Sequence, residues 1–197
     1  MAPAMTRRVR PLYAWEIAEA RSVFGDQLAY ERVRIHESVS WPDTLDRLGR
    51  WLKRTAPPRA DEHNAITLGY HCFFPVPMPR IGFPPGDPQD LPNPEDSAVS
   101  WLIHELTHVW QFQRLGWRVL WRALMAQLRE GEAVYDYGGP EGLFGRSAAG
   151  WTLHDFNLEQ QGAIAASYYL RQRMRQDVRA WLPYIENIQG FGIEGKR

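Results

Sequence analysis

The chain has no excess of either charge, because 23 Lys and Arg balance 23 Asp and Glu in 197 residues. A protein without net positive charge has no broad electrostatic attraction for a nucleic-acid duplex or an anionic membrane. Its one cysteine, Cys72, excludes an internal disulfide and any metal site built from several thiolates. No apolar run reaches the roughly 18 residues that a membrane helix needs. These absences predict a globular protein that binds no nucleic acid and inserts no helix into a membrane.

The N-terminal segment is basic, but the apolar stretch of a secretory signal peptide does not follow it. We therefore expect the protein to be cytoplasmic at synthesis. Residues 1–11 are short, basic and contain two prolines, which predicts a disordered leader. Residues 12–197 are enough for one domain with a sizeable core.

Hydrophobic spacing predicts that this domain is α+β. The elements predicted in its first part are a helix over 13–24, a weak strand within 28–39, a helix or a loop over 41–54, and a strand over 65–74. Residues 75–94 contain eight of the chain's 15 prolines, and proline cannot donate a backbone hydrogen bond. We expect this segment to be a rigid surface loop.

The second part of the chain is predicted to be mostly helical. A helix over about 98–115, capped by Asp96 or Ser97, should end at Gly116. The later elements predicted are a helix over 118–129, a loop with six glycines over 130–156, an amphipathic helix over 158–174, and a short helix around Trp181 that is interrupted at Pro183.

Residues 104–108 read His-Glu-Leu-Thr-His, the H-E-x-x-H pattern, within the predicted 98–115 helix. Helical geometry places His104 and His108 about 40° apart around the axis and roughly 6 Å apart along it, so both can bind one Zn²⁺. Glu105 lies beside them, where it can accept a proton from a water held by the metal. Their neighbours are uncharged and mostly apolar, and burying these side chains costs several kcal/mol unless a metal compensates. The alternative is a pair of core histidines hydrogen-bonded to Glu105.

Two histidines leave a zinc ion one protein ligand short. Arg114 stands where an H-E-x-x-H-x-x-G-x-x-H pattern has its third histidine, so the remaining ligand must lie downstream. Glu159 is favoured because it opens an amphipathic helix, which holds a ligand more rigidly than a glycine-rich loop. The alternatives are His154 and Asp155, followed by Glu132, Asp136 and Glu141.

Four stretches of the chain carry a resemblance to a known family. They are ARSVFGDQLAYERVRIH at 20–36, HELTHVWQFQ at 104–113, YDYGG at 135–139 and FNLEQQ at 156–161. Together they resemble the Vgr-related metallopeptidase-like proteins and the metallopeptidase domain at the C-terminus of some VgrG spike proteins of type VI secretion. The resemblance spans roughly residues 20–172.

This resemblance implies a single-domain zincin-like fold, in which a small sheet packs on the H-E-x-x-H helix and on a downstream ligand helix. It implies that His104, His108 and Glu159 bind Zn²⁺ and that Glu105 is the catalytic carboxylate. Ala163 departs from the pattern, since gluzincins usually carry there an acidic residue that supports a histidine. Asp155 or Asp136 are the candidates to supply that support instead.

Peptide hydrolysis also needs a group that stabilises negative charge on the carbonyl oxygen. Tyr135, Tyr137 and His154 are the candidates in this part of the chain. The predicted strand over 65–74 is the candidate to hold an extended peptide by β-addition. Five tryptophans near the pentad in sequence are expected to surround it as a dry pocket: Trp101, Trp110, Trp117, Trp121 and Trp151.

The sequence and the resemblance together predict a zinc metallopeptidase that acts on a peptide or protein. The resemblance adds type VI secretion as a route of export and a spike or adaptor protein as a partner. One alternative is a non-catalytic cargo protein whose zinc has a fourth protein ligand, such as His154 or Asp155. Another is a zinc amidase that acts on cell-wall peptides.

Overall fold

The computed structural model describes residues 8–39, 65–80, 94–127 and 135–190. Within these residues the chain has five α-helices and four short strands, so the predicted α+β class is confirmed. The strands are β1 (Arg8–Arg10), β2 (Arg34–Glu37), β3 (Ile66–Leu68) and β4 (His71–Phe73). The helices are α1 (Ala14–Phe24), α2 (Pro94–Gln127), α3 (Gly139–Ala148), α4 (Leu158–Arg173) and α5 (Leu182–Gln189). The predictions for 41–54 and for most of the proline-rich loop lie outside the described residues.

The four strands form one mixed sheet in the order β1-β2-β4-β3. β2 lies within the predicted weak strand; it pairs antiparallel with β1 and parallel with β4. The prediction of a single strand over 65–74 is wrong, because β3 and β4 form an antiparallel hairpin. Gly69 turns the chain there with a φ of +63°, which glycine adopts without steric cost.

The segment before α1 is more ordered than the predicted leader. Residues 1–7 lie outside the described part, but β1 pairs with β2, so the leader does not extend to Arg8. Arg10 is buried between two carboxylates, 2.7 Å from Glu16 Oε2 and 2.7 Å from Glu37 Oε1. Replacing Arg10 would leave two carboxylates without their counter-charge in the interior, so these contacts fix β1 against α1 and β2.

The H-E-x-x-H residues lie in the middle of the long helix α2. This helix begins at Pro94, earlier than the predicted start near residue 98, because proline fits a first turn where no N–H is needed. Asp96, one of the two predicted N-caps, lies inside that turn; its buried carboxylate accepts a hydrogen bond from Arg173 Nε at 3.2 Å. Gly116 is non-helical (φ 71°, ψ 175°), so the predicted break between two helices is confirmed.

The prediction of a loop over 130–156 is wrong for the residues that the structure describes there, since α3 and a 3-10 turn at 153–155 lie within this range. Pro140 occupies the first turn of α3, and Leu143 is fully buried. The hydroxyl of Tyr184 donates a hydrogen bond to the Leu143 carbonyl at 2.8 Å. Packing on the core and this contact outweigh the low helix propensity of the glycines.

The last two helices lie close to their predicted places. α4 matches the predicted helix over 158–174 and is capped by Asn157, whose side chain accepts a hydrogen bond from Gln160 N at 2.8 Å. Pro183 does not interrupt a helix as predicted. It lies in the first turn of α5, where its missing N–H costs nothing, and α5 ends at Gly190.

The helix α2 is the centre of the packing. It contacts α4 along its length and also contacts β3 and β4, so its histidines lie between other elements. Its apolar side chains Leu102, Ile103, Leu106 and Val109 are fully buried in one core cluster. None of the described helices has the length and hydropathy to cross a membrane.

Candidate metal centre

Three side chains converge where α2 meets the first turn of α4. His104 Nε2 is 3.0 Å from Glu159 Oε2, and His108 Nε2 is 3.4 Å from the same oxygen. The two Nε2 atoms are 3.2 Å apart. The side chains are 13–15% exposed, so all three are largely shielded from solvent. The fold thus brings both predicted histidines and the favoured third ligand to one point.

These spacings fit a tetrahedral metal ion. With bonds of about 2.0–2.1 Å, two ligand atoms on a tetrahedron are roughly 3.3–3.4 Å apart. Two imidazoles and a carboxylate are donors that first-row divalent ions accept, and three protein ligands leave one position open. His104, His108 and Glu159 therefore form a group that could hold a metal ion.

Gly162 makes room for this convergence. It lies three residues after Glu159, on the face of α4 that meets His104. A β-carbon at this position would be 2.7 Å from His104 Cε1 and 2.9 Å from both ring nitrogens. Any residue with a side chain would therefore displace the imidazole, so glycine is required by the close approach of the two helices.

The charges of the three side chains are coupled. Burial lowers the pKa of His108, but the negative charge of Glu159 and its hydrogen bond more than offset that effect and raise the pKa to about 9. Burial raises the pKa of the Glu159 carboxyl, whereas the charge of His108 and the hydrogen bonds from both histidines hold it far below its usual value. In the metal-free protein at neutral pH, Glu159 is therefore ionised and His108 is protonated.

We expect Zn²⁺ binding at pH 7 to release the His108 proton, because only a neutral imidazole binds a metal. Zinc affinity should therefore rise with pH until about pH 9. Calorimetry in buffers of different ionisation enthalpy measures the proton directly. The stability of the metal-free fold changes with pH in the opposite direction. The raised pKa of His108 stabilises the fold fully below pH 6.5, and this contribution is lost as the pH rises through about 9. Binding enthalpies that are equal in all buffers at pH 7 would contradict the prediction.

Glu105 follows His104 in the chain but is not among the three side chains that could hold a metal ion. It is 4% exposed, and its Oε2 accepts a hydrogen bond from Thr67 Oγ1 at 2.7 Å. Thr67 is the central residue of β3, so the sheet holds this carboxylate in a fixed orientation. Cys72 faces Thr67 across the hairpin; burial raises the pKa of its thiol, as expected of an inert side chain.

The three candidate oxyanion groups have different surroundings. The ring of Tyr135 lies 6.1 Å from the His104 ring and is half exposed. Tyr137 packs partly buried against the core, and its carbonyl accepts a hydrogen bond from Arg146. The exposed His154 stacks on Trp110 with a ring separation of 6.2 Å. Tyr135 is thus the candidate whose ring lies near one of the three side chains that could hold a metal ion, and all three roles stay predictions.

The other candidate ligands are engaged or lie elsewhere. Asp155 accepts hydrogen bonds from Thr152 N and Oγ1 at 2.7 and 2.9 Å, which caps its own turn. Asp136 accepts a hydrogen bond from Gly138 N at 2.8 Å, and Glu141 is exposed in the first turn of α3. Glu132 lies outside the described residues. Both carboxylates thus accept hydrogen bonds from neighbouring groups, and the support predicted from Asp155 or Asp136 stays a prediction.

Two buried glutamines supply a support that the sequence analysis missed. Gln111 Oε1 lies 2.8 Å from His108 Nδ1, and Gln111 Nε2 lies 3.0 Å from Gln161 Oε1. The i,i+3 spacing of His108 and Gln111 was a signal for this contact, because such residues share a helix face. Gln161 and Gly162 gave no local signal, since their roles depend on how α4 packs against α2.

The tryptophans only partly form the expected pocket. Trp110 is buried, and Trp101 makes an edge contact with Phe74 at 5.1 Å. Trp117 and Trp151 are 50% and 41% exposed, so they do not enclose a dry site in the described structure. The side chain of Trp121 lies outside the described part of the chain.

Comparisons with known proteins give one relative. No family model matches the chain, and no solved structure matches it. The type VI secretion system spike protein VgrG2b of Pseudomonas aeruginosa is 28% identical over 163 residues. The match covers 83% of this chain but 13% of the spike protein, so the chain spans about an eighth of that protein's length. The chain is thus similar to a short part of a type VI spike protein.

Proposed function

We propose that the protein is a zinc metallopeptidase of zincin-like fold, associated with type VI secretion. The observation that supports it most is the convergence of His104, His108 and Glu159 at tetrahedral spacings beside a buried carboxylate. A zinc ion that only stabilised the fold would need His104, His108 and Glu159 as ligands but would have no use for Glu105. Burial of Glu105, whose negative charge acts on His108, is costly and is explained if this carboxylate transfers protons.

In this proposal His104, His108 and Glu159 hold the zinc ion, which when bound would polarise a substrate carbonyl and activate a water. Glu105 accepts the proton of that water and passes it to the leaving amine. The hydrogen bond from Thr67 orients the Glu105 carboxylate for both transfers. Tyr135, beside His104, is the candidate to stabilise negative charge on the carbonyl oxygen.

A peptide has a place to bind along β3. This strand is at the end of the described sheet, with β4 on one side, so its other edge can pair with an extended chain. Thr67 in its centre contacts Glu105, and a peptide paired there would therefore pass close to the carboxylate. The proposed substrate is accordingly an extended peptide or an unfolded protein segment.

The role in secretion is proposed from the similarity to VgrG2b, a type VI secretion spike protein. Export by that system, together with or attached to a spike or adaptor protein, fits a peptidase that acts outside the producing cell. The similarity covers a small part of the spike protein, so we propose the association and not the spike function itself.

We expect the purified protein to bind one Zn²⁺ per chain and to cleave an unfolded protein substrate. Removal of the metal with a chelator should abolish cleavage, and added Zn²⁺ should restore it, because the proposed reaction needs the metal to activate the attacking water. His108→Ala should lose the metal, as measured by elemental analysis. His154→Ala is the matched control and should keep it.

Other outcomes would favour the alternatives. Loss of zinc in His154→Ala, with a zinc-loaded wild type that cleaves nothing, would indicate a structural site closed by a fourth protein ligand. Cleavage of cell-wall peptides but of no protein substrate would indicate an amidase. A wild-type protein that binds no divalent metal would overturn the proposal.

A further inference from the structure

Gln111 is a polar side chain in the most apolar part of α2. It is 1% exposed, and burying an amide costs free energy unless its donors and acceptor are hydrogen-bonded. Its Nε2 donates to the carbonyl of Leu158 at 2.9 Å and to Gln161 Oε1 at 3.0 Å. Its Oε1 lies 2.8 Å from His108 Nδ1. The amide oxygen and both amide hydrogens therefore have hydrogen-bond partners. These partners are His108, one of the three side chains that could hold a metal ion, and residues of α4.

These contacts fix which nitrogen of His108 is free. Both donors of Gln111 point to carbonyl oxygens, so the atom that faces His108 is the amide oxygen, which can only accept. When His108 is neutral, its proton therefore remains on Nδ1. Its Nε2 then presents a lone pair towards Glu159 Oε2 and His104 Nε2, as a metal ligand must.

The same amide holds the helix that carries Glu159. Gln161 is 4% exposed; it accepts from Gln111 and donates from its own Nε2 to the Phe156 carbonyl at 2.9 Å. Gln111 and Gln161 thus contact the backbone at residues 156 and 158, immediately before Glu159. One connected set of hydrogen bonds links the ring of His108 on α2 to the N-terminal turn of α4.

We propose that Gln111 is a positioning residue, which sets the metal-binding tautomer of His108 and, through Leu158 and Gln161, the position of Glu159. The inference rests on the proposed function for the nature of the ion, but its test does not depend on turnover. Residues that orient a metal-bound histidine in this way contribute about 10–100-fold to metal affinity.

The test compares two variants of Gln111 with a matched control. Gln111→Met keeps the length of the side chain and removes every hydrogen bond, whereas Gln111→Glu keeps an acceptor for His108. Gln113→Met is the control, because Gln113 lies on the same helix and bonds to Gln27 and Ala29, away from the metal group. Zn²⁺ affinity is measured by competition with a chromophoric chelator, and ligand geometry by the absorption bands of the Co²⁺-loaded protein.

We expect Gln111→Met to weaken Zn²⁺ binding by about 10–100-fold and to change the Co²⁺ bands. Gln111→Glu keeps the acceptor for His108 Nδ1 but loses the donors to Leu158 and Gln161, so its Zn²⁺ affinity should lie between those of the wild type and of Gln111→Met. Gln113→Met should match the wild type in both measurements, even if its thermal midpoint falls. A purely structural role for Gln111 would instead lower the thermal midpoint of the metal-free protein without any change in the Co²⁺ spectrum.

Three results would overturn the inference. Gln111→Met could bind Zn²⁺ as the wild type does, Gln111→Glu could fail as badly as Gln111→Met, or Gln113→Met could weaken binding to the same extent. If instead the wild type binds Zn²⁺ with the expected dependence on Gln111 but cleaves no peptide, the proposed peptidase function fails and the positioning role stands.

Discussion

A Glu105→Gln variant is expected to bind Zn²⁺ as the wild type does and to cleave peptides about 10²–10⁴-fold more slowly. Zinc binding should persist because Glu105 is not among the three convergent side chains. Glutamine has the shape of glutamate, and its carbonyl oxygen can still accept the hydrogen bond from Thr67. It cannot accept a proton from water at neutral pH, so the loss should fall on turnover and not on the metal.

The measurement pairs metal content with the rate of peptide cleavage on one preparation. Glu95→Gln is the matched control, since Glu95 is an exposed glutamate in the first turn of the same helix. It should leave both quantities unchanged. If Glu105→Gln cleaves at the wild-type rate, the proposed mechanism is wrong. If it loses the metal, Glu105 contributes to binding and the assignment of three ligands must be revised.

Local sequence patterns were sufficient to predict the helices that carry the site. The apolar run around His104 and His108, with glycine at position 116, predicted a helix and its break, and Gly116 is indeed non-helical. The amphipathic pattern over 158–174 predicted α4, which the structure shows to be capped by Asn157. Predictions of this kind succeed because helix formation, capping and termination depend on residues within a few positions of one another.

One failed prediction missed a local turn, and another depends on a contact between distant residues. The strand predicted over 65–74 is a hairpin, because Gly69 adopts a positive φ that the β-rich composition around it concealed. The glycine-rich segment that contains α3 is helical because Leu143 is buried and held by Tyr184, 41 residues away. No local propensity contains that information, since packing in the folded chain outweighs it.

The candidate site shows the same division. The sequence indicated His104, Glu105 and His108 from one pentad, and Glu159 from its place in a helix. It did not indicate Thr67, which meets Glu105 across 38 residues of chain, because a threonine in a short strand is ordinary. The groups that orient the site are thus supplied by tertiary contacts, while the groups proposed for the chemistry were visible in the motif.

A Gly162→Ala variant is expected to have a much lower metal affinity. The loss should exceed the roughly 10–100-fold that follows when a residue supporting a metal ligand is removed. In an ordinary helix this substitution stabilises by about 0.5–1 kcal/mol. Here the new β-carbon would lie 2.7 Å from His104 Cε1, so the imidazole must leave its place or the helices must separate. Overpacking of this kind costs about 1–3 kcal/mol, which exceeds the gain in propensity. Zinc affinity and the thermal midpoint of the metal-free protein are the two measurements.

Two comparisons separate this steric effect from a general effect of alanine. Gly145→Ala is the matched control, because Gly145 lies inside α3 with open space around its α-carbon, and it should raise the thermal midpoint without changing zinc affinity. In a His104→Ala background the ring is gone, so Gly162→Ala should no longer destabilise the metal-free protein. If Gly162→Ala destabilises it equally with and without the His104 ring, the clash lies elsewhere and the close approach of His104 to α4 is wrong. If the penalty disappears with the ring, the space at Gly162 is what lets His104 reach Glu159, since the two side chains face each other across that space.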